Sequence, residues 1–123
     1  MRKLKQAEVK IVRDAMAKKQ GGKCPLCGNS LAQKGAVLDH CHDKGTVRSA
    51  LCRNCNGMEG KVRTAAIRSA KKDGMIQWLL NLAEYWKHHD ENPSKYIYPN
   101  HLTEDEKRLA RNKKAREKRA KSK

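Results

Sequence analysis

The sequence predicts an α+β fold that is mostly helical and contains one small hairpin. Apolar residues recur at helical spacing through residues 2–19 and 75–86, and short β-prone pieces flank a turn at 43–45. Two CxxC pairs enclose that hairpin. A chain of 123 residues without phenylalanine can build only a small apolar core, so a metal or covalent staple is expected.

The N-terminal part begins with a helix over residues 2–19, whose apolar stripe includes Leu4 and Ile11. The Gly-Gly pair at 21–22 ends this helix. Residues 37–51 then form a small, irregular hairpin around the Asp-Lys-Gly turn.

The C-terminal part is predicted to be helical, with interruptions. A helix begins near Cys52 and helical composition continues through 61–72, and Asp73-Gly74 predicts a break before the amphipathic helix at 75–86. Residues 90–101 are loop-like. Thr103 and Glu106 form a capping box that opens a strongly basic last segment.

The charge of the chain indicates a polyanionic partner. Lys plus Arg is 29 against 13 acids, a net charge of +16, and +9 of it lies in residues 107–123. Nucleic acid is the leading partner for such a chain; a solubilising surface and a membrane-surface peptide are the alternatives. Because no apolar run is long enough for a membrane span or a signal peptide, no membrane partner and a cytoplasmic location are expected.

Four of the five cysteines have the spacing of a zinc site. Cys24 and Cys27 form one pair and Cys52 and Cys55 the other, with 24 residues between the pairs. Four thiolates suit tetrahedral Zn²⁺ at about 2.3 Å per bond, whereas a redox CxxC is the alternative. A site closed by four thiolates has no open position for substrate, so this ion is predicted to be structural, one per chain.

A second group of polar residues remains around the hairpin. Asp39, His40, Cys41 and His42 lie between the cysteine pairs, and Asn56 follows the last cysteine. Carboxylate and amide oxygens favour Mg²⁺, and an imidazole is the side chain best suited to accept a proton at neutral pH. The alternatives are outer partners of the zinc site, phosphate contacts without catalysis, or a second zinc on the two histidines and Cys41. Residue types alone leave these alternatives open.

Several motifs together resemble a known family. CPLCG, LDHCH, VRSALC and CRNCNGMEG, followed by WLLNLAEYW and YIYPN, resemble the phage recombination endonuclease VII family of His-Me finger (ββα-metal) nucleases. The resemblance covers roughly residues 20–100. It implies a zinc-stapled ββα-metal motif flanked by an N-terminal helix and C-terminal amphipathic helices, in a protein of the host cell cytoplasm if it is encoded by a phage.

The same resemblance implies roles for individual residues. Asp39 and Asn56 would bind a catalytic Mg²⁺, with Mn²⁺ as an alternative, and His40 would be the general base. His42 would contact or orient the scissile phosphate, and Glu59 matches an acidic position near the metal. The implied reaction is hydrolysis of DNA to 5′-phosphate products. The sequence departs from the family pattern at Cys41 and Ser49, neither of which removes a catalytic group.

Basic residues after the hairpin are candidates for DNA binding. Arg48 is either a phosphate clamp or a solvated strand charge. The helical region carries five further candidates, for which a solvated helix face is the alternative: Lys61, Arg63, Arg68, Lys71 and Lys72. The family resemblance also implies a homodimer, which would allow two coordinated cuts in a four-way junction.

Together with its basic charge and candidate metal sites, the resemblance of the sequence to this family implies a Mg²⁺-dependent DNA endonuclease acting on branched DNA, of the junction-resolvase type. The alternatives are a nuclease of the same fold without branch preference and a zinc-stapled DNA-binding protein without catalysis. The predicted layout is an N-terminal helix (1–22), a nuclease core (23–62), a helical dimerisation and DNA-binding region (63–101) and a basic helix or tail (102–123).

Overall fold

The computed structural model describes residues 2–122 and confirms a mostly helical α+β fold. A 3₁₀ turn at Gln6–Glu8 precedes the first helix. The helices are α1 (Val9–Lys19), α2 (Leu31–Lys34), α3 (Arg53–Glu91) and α4 (Glu104–Lys121), and the strands are β1 (Ala36–His40) and β2 (Val47–Cys52).

The first helix starts later than predicted. Residues 2–5 are not helical, and the prediction of a helix from residue 2 is wrong there. The Glu8 carboxylate accepts two hydrogen bonds from the Arg2 guanidinium and one from the Lys5 backbone, each at 2.9 Å. These bonds lower the pKa of Glu8 to about 2 and fix an extended approach to the helix. The sequence pattern continued through this segment, but its local hydrogen bonds favour another backbone conformation.

The two strands form the predicted hairpin with one irregularity. They pair antiparallel, with Leu38 opposite Ala50 and His40 opposite Val47. One residue of β1, Asp39, therefore faces a two-residue stretch of β2 that begins with Arg48. This is a β-bulge, a feature that redirects side chains and is common next to active sites.

The buried core is small and lies where α1, α2 and the hairpin meet the cysteine pairs. Met16 and Ala17 of α1 pack against it. Its buried members are Cys24, Leu31, Ala50, Leu51 and Cys52. Two of the five are cysteines, which agrees with the expectation that an apolar core alone does not hold this fold.

The Gln20 side chain joins α1 to the hairpin through two hydrogen bonds. Its Nε2 donates to the Ala50 carbonyl at 2.8 Å, and its Oε1 accepts from the Ala50 backbone N–H at 2.9 Å. One amide side chain thus supplies the pairing that a third strand would give to β2 at this position.

Helix α3 is kinked at Lys71, where φ is 60° and ψ is 174°. The helix is therefore interrupted, as predicted, but not at Asp73-Gly74, because both of these residues are helical. A glycine inside a helix is tolerated at a cost of about 1 kcal/mol. The interruption falls instead on the lysine two residues before Asp73.

The chain divides into two compact units, one up to Leu82 and one from Ala83 onward. The second unit holds the end of α3, an irregular stretch and α4, and its residues from 83 to 122 are exposed. The predicted cap is confirmed, since Thr103 Oγ1 accepts a hydrogen bond from the Glu106 backbone at 3.1 Å. No helix within residues 2–122 is long and apolar enough to span a membrane.

Candidate active site and metal centre

The four cysteines of the two CxxC pairs converge. Cys24 and Cys27 lie before α2, and Cys52 and Cys55 lie at the junction of β2 and α3. Their sulfur atoms all lie within 4.8 Å of one another, and within residues 2–122 no other three His, Cys, Asp or Glu side chains form such a group. The fold thus brings together the two pairs, as the spacing predicted.

The geometry of this cluster fits zinc. The Sγ atoms of Cys27 and Cys52 are 3.8 Å apart, too far for a disulfide, and all five cysteines are free. A tetrahedron with zinc–sulfur bonds of about 2.3 Å has sulfur–sulfur edges of about 3.8 Å. The four thiols can therefore hold a zinc ion.

The cysteines differ in how readily they ionise. Burial opposes ionisation of Cys24, but hydrogen bonds with three neighbouring backbone groups outweigh it and lower the pKa of Cys24 to about 6. A hydrogen bond with Cys52 and burial raise the pKa of Cys55 to about 12. Because thiolates are the zinc ligands, metal binding must drive a proton from Cys55.

Asp39 is a buried carboxylate at the bulge of the hairpin. Its relative exposure is only 6%, and it is the one buried charged residue within 2–122. Arg48, across the bulge, donates to it through Nε at 2.6 Å and through Nη2 at 3.0 Å. The irregular register therefore places a guanidinium directly against this carboxylate.

A second carboxylate approaches from α3. Glu59 Oε1 lies 3.1 Å from Arg48 Nη2, so one guanidinium bridges two acids from different elements. The other oxygen, Oε2, is buried without a hydrogen-bond partner among the described residues, and His42 Nε2 lies 3.5 Å from it. The hydrogen bond to Asp39, opposed by some burial, raises the pKa of Arg48 further, so its positive charge is permanent.

The remaining predicted site residues surround this network. His40 is exposed at the end of β1, and its ring centroid is 5.9 Å from that of His42. Asn56 is half-buried in the first turn of α3, three residues before Glu59 and therefore on the same side of the helix. The structure thus brings Asp39 and Glu59 together at Arg48, with His42 next to Glu59 and the His40 ring next to that of His42.

The basic candidates do not share one environment. Lys61, Arg68 and Lys71 are exposed on α3. Arg63 Nη2 and Lys72 Nζ instead bind the Asp43 carboxylate at 2.9 Å and 3.0 Å. These hydrogen bonds, first from Lys72 and then from Arg63, lower the pKa of Asp43.

Two residues important to this arrangement were not predicted. Asp43 lies in the hairpin turn, where its residue type also suits an ordinary turn, so its two distant partners left no pattern in the sequence. Gln20 follows the first helix, and no spacing rule connects it to Ala50.

The comparison with protein families bears on this site. The family model described as recombination endonuclease VII matches residues 2–88, which is most of the chain. The chain belongs to the recombination endonuclease VII family. The matched range includes both cysteine pairs, the hairpin, Asn56 and nearly all of α3.

Membership of the endonuclease VII family places the chain among DNA endonucleases with a role in recombination. It also confirms the resemblance inferred from LDHCH and the two CxxC pairs. The match begins earlier than the resemblance, since it includes α1, and it ends before the tyrosine-rich segment at 96–98 and before α4.

Proposed function

We propose that this endonuclease VII family member hydrolyses phosphodiester bonds of branched DNA in a Mg²⁺-dependent reaction. The observation that carries the proposal is the buried Asp39 carboxylate, paired through Arg48 with Glu59, whose other oxygen lies 3.5 Å from His42 Nε2. Buried ion pairs often add little to stability, so an acid held in one, among basic and histidine side chains, is a candidate functional residue.

The residues near Asp39 fit a magnesium ion by their chemistry. Asp39 and Asn56 would hold it, because carboxylate and amide oxygens are the donors that Mg²⁺ prefers, and Mn²⁺ accepts the same donors. The buried, unpartnered Oε2 of Glu59 supplies further negative potential nearby. The bound ion would stabilise negative charge on the phosphate and on the leaving oxygen.

The protein groups then have separate tasks. His40 accepts a proton from a water molecule, whose oxygen attacks phosphorus as the bond to the 3′ oxygen breaks, leaving a 5′-phosphate and a 3′-hydroxyl. His40 is exposed at a strand end, where it can reach substrate. His42, held near Glu59, orients the scissile phosphate.

The zinc ion is proposed to be structural. Its four sulfur ligands would leave no position for water or substrate, and three of the four cysteines lie in or directly against the buried core. Zinc therefore fixes the hairpin against the start of α3, which positions Asp39 and Asn56.

The DNA-binding surface is proposed to include the exposed basic side chains of α3. Lys61 and Arg68 are free to contact phosphates, and the charge of +16 provides long-range attraction. A preference for branched DNA would come from duplex shape and flexibility, because phosphate contacts carry no base sequence.

The active form is proposed to be a homodimer. Ile76 and Leu80, one turn apart on α3, are 67% and 57% exposed. Apolar side chains exposed at helical spacing favour packing against another helix, and a second copy offers the same face. A dimer would place two active sites on opposed strands of one junction.

The test is a cleavage assay on a four-way junction and a matched linear duplex, with Mg²⁺ or with EDTA. Wild type should cut the junction faster and only with the metal. His40→Ala should lower the cleavage rate by roughly 10²- to 10⁴-fold while retaining junction binding. His89→Ala, at the exposed end of α3, is the matched control.

Each failure in this assay has a distinct meaning. Equal cutting of both DNAs would support a nuclease without branch preference. Binding without any cleavage would support the non-catalytic alternative. Unchanged cleavage by His40→Ala would rule out His40 as the base.

A further inference from the structure

The Arg48 guanidinium binds two carboxylates of the candidate site at the same time, those of Asp39 and Glu59. It contacts Asp39 at 2.6 Å and 3.0 Å and Glu59 at 3.1 Å. The Asp39 side chain is 7% exposed, the Glu59 side chain 22% and the Arg48 side chain 38%. A partly exposed cation therefore covers two acids that are largely removed from solvent.

The guanidinium of Arg48 offsets the repulsion between the Asp39 and Glu59 carboxylates. Two carboxylates brought together from β1 and α3 repel each other, and burial of Asp39 makes its charge expensive without a partner. A planar guanidinium with forked donors matches such a pair better than a lysine ammonium would. Arg48 thus supplies the positive charge that the acids require.

Both Asp39 oxygens are engaged by this contact. Arg48 Nε binds Oδ2 and Nη2 binds Oδ1, so a divalent cation that takes Asp39 as a ligand competes with Arg48 for the same oxygens. The Glu59 oxygen that Arg48 does not contact is the one without a hydrogen-bond partner. A divalent cation at this site would therefore find Glu59 Oε2 without a hydrogen-bond partner and both Asp39 oxygens bound to Arg48.

We propose that Arg48 is a built-in counter-cation of the Asp39–Glu59 pair, which a divalent metal must displace before it binds. The inference rests on the proposed metal site at Asp39. Arg48 is thus a positioning residue for the Asp39 and Glu59 carboxylates. Once released, its exposed guanidinium can bind a phosphate oxygen, so metal and DNA would each favour binding of the other.

The first test is calorimetric titration of Mn²⁺ into the zinc-loaded full chain without DNA. Arg48→Gln removes the competing charge, so it should bind Mn²⁺ roughly tenfold more tightly than wild type, which corresponds to about 1.4 kcal/mol. Arg13→Gln, which removes another ion-paired arginine on α1, should bind like wild type. The affinity of Arg48→Lys for Mn²⁺ should lie between those of wild type and Arg48→Gln, because an ammonium lacks the forked donors of a guanidinium.

The outcomes separate this inference from the proposed function. If Arg48→Gln binds Mn²⁺ no more tightly than wild type while Asp39→Asn loses binding, the counter-cation role is wrong and the metal site stands. If Asp39→Asn binds like wild type, the proposed metal site itself is wrong.

A second measurement uses wild type alone and does not depend on the folding of any variant. The Arg48 Nε–Hε resonance, hydrogen-bonded to Asp39, is followed by NMR during titration with Mg²⁺. It should shift in step with metal binding towards the value of a solvated arginine. A resonance that stays unchanged at saturating Mg²⁺ would overturn the proposal.

Discussion

Asp43, in the turn of the hairpin, accepts a hydrogen bond at 3.0 Å from Lys72, which lies 29 residues later in the chain. Arg63 donates to the other oxygen of the same carboxylate at 2.9 Å. Because the pKa of Asp43 is lowered by these two donors, this contact is present above the ordinary pKa of an aspartate and is lost only as pH falls through the lowered value. At neutral pH one acid therefore holds two of the basic residues predicted to bind DNA.

Replacement of Asp43 by asparagine should strengthen DNA binding. The change frees Arg63 and Lys72 for phosphate contacts, so we expect affinity for junction DNA to rise by roughly two- to fivefold. The slope of log affinity against log salt concentration should become steeper by about one unit, the effect of one more phosphate contact. Fluorescence anisotropy at several salt concentrations measures both quantities. Asp14→Asn, which removes an exposed acid from α1, is the control. Weaker binding by Asp43→Asn would show that the acid orients these cations for DNA.

Replacement of Gln20 by alanine should destabilise the fold by about 1–3 kcal/mol. The substitution leaves the N–H and carbonyl of the buried Ala50 without their partners. Thermal unfolding of the zinc-loaded protein, followed by circular dichroism, measures the loss. Gln33→Ala, on the exposed face of α2, should have little effect. Equal stability of the two variants would contradict the structural role of Gln20.

Removal of zinc should unfold the region around the hairpin. Because the small core includes metal ligands, a strong chelator should abolish cooperative unfolding as well as activity. Elemental analysis should find one zinc per chain in wild type and in Cys41→Ser, and much less in Cys52→Ser. Cys41 lies outside the four-cysteine cluster and is therefore the matched control. A chelated protein that keeps its cooperative unfolding transition would refute a structural role for the metal.

Replacement of Leu80 by aspartate should abolish dimerisation without loss of helix. Leu80 is exposed in the single chain, so the substitution leaves its folding intact but places a charge in the proposed interface. Sedimentation analysis should give a dimer for wild type and a monomer for the variant. Asn81→Asp, exposed on another side of the same helix, should remain dimeric. A monomeric wild type at working concentration would remove the dimer from the proposal.

The local features of the fold could be predicted because their signals lie close together in sequence. A CxxC pair places two ligands on one turn, and β-prone residues on both sides of an Asp-Lys-Gly turn are sufficient to predict a hairpin. The cap at Thr103 is contained in four residues. In each case the interacting groups are a few residues apart, so the chain geometry alone constrains them.

The network around Asp39 could not be predicted from sequence, because it depends on the bulge. In a regular hairpin the residues opposite each other alternate strictly, and a single extra residue in β2 changes which side chain meets Asp39. The contacts of Gln20 and Asp43 are likewise long-range. Residue types suggested Asp39 as a site residue and the family resemblance suggested Glu59, but nothing in the pattern placed Arg48 between them.

The kink of α3 holds Lys71 in a strained backbone conformation. Its φ of 60° with ψ of 174° belongs to a region that only glycine adopts easily, and such strain is of order 1–3 kcal/mol. The next residue, Lys72, is the one tethered by Asp43. A strained backbone persists only where the surrounding contacts hold it, so the Asp43–Lys72 ion pair is one contact that fixes the kink.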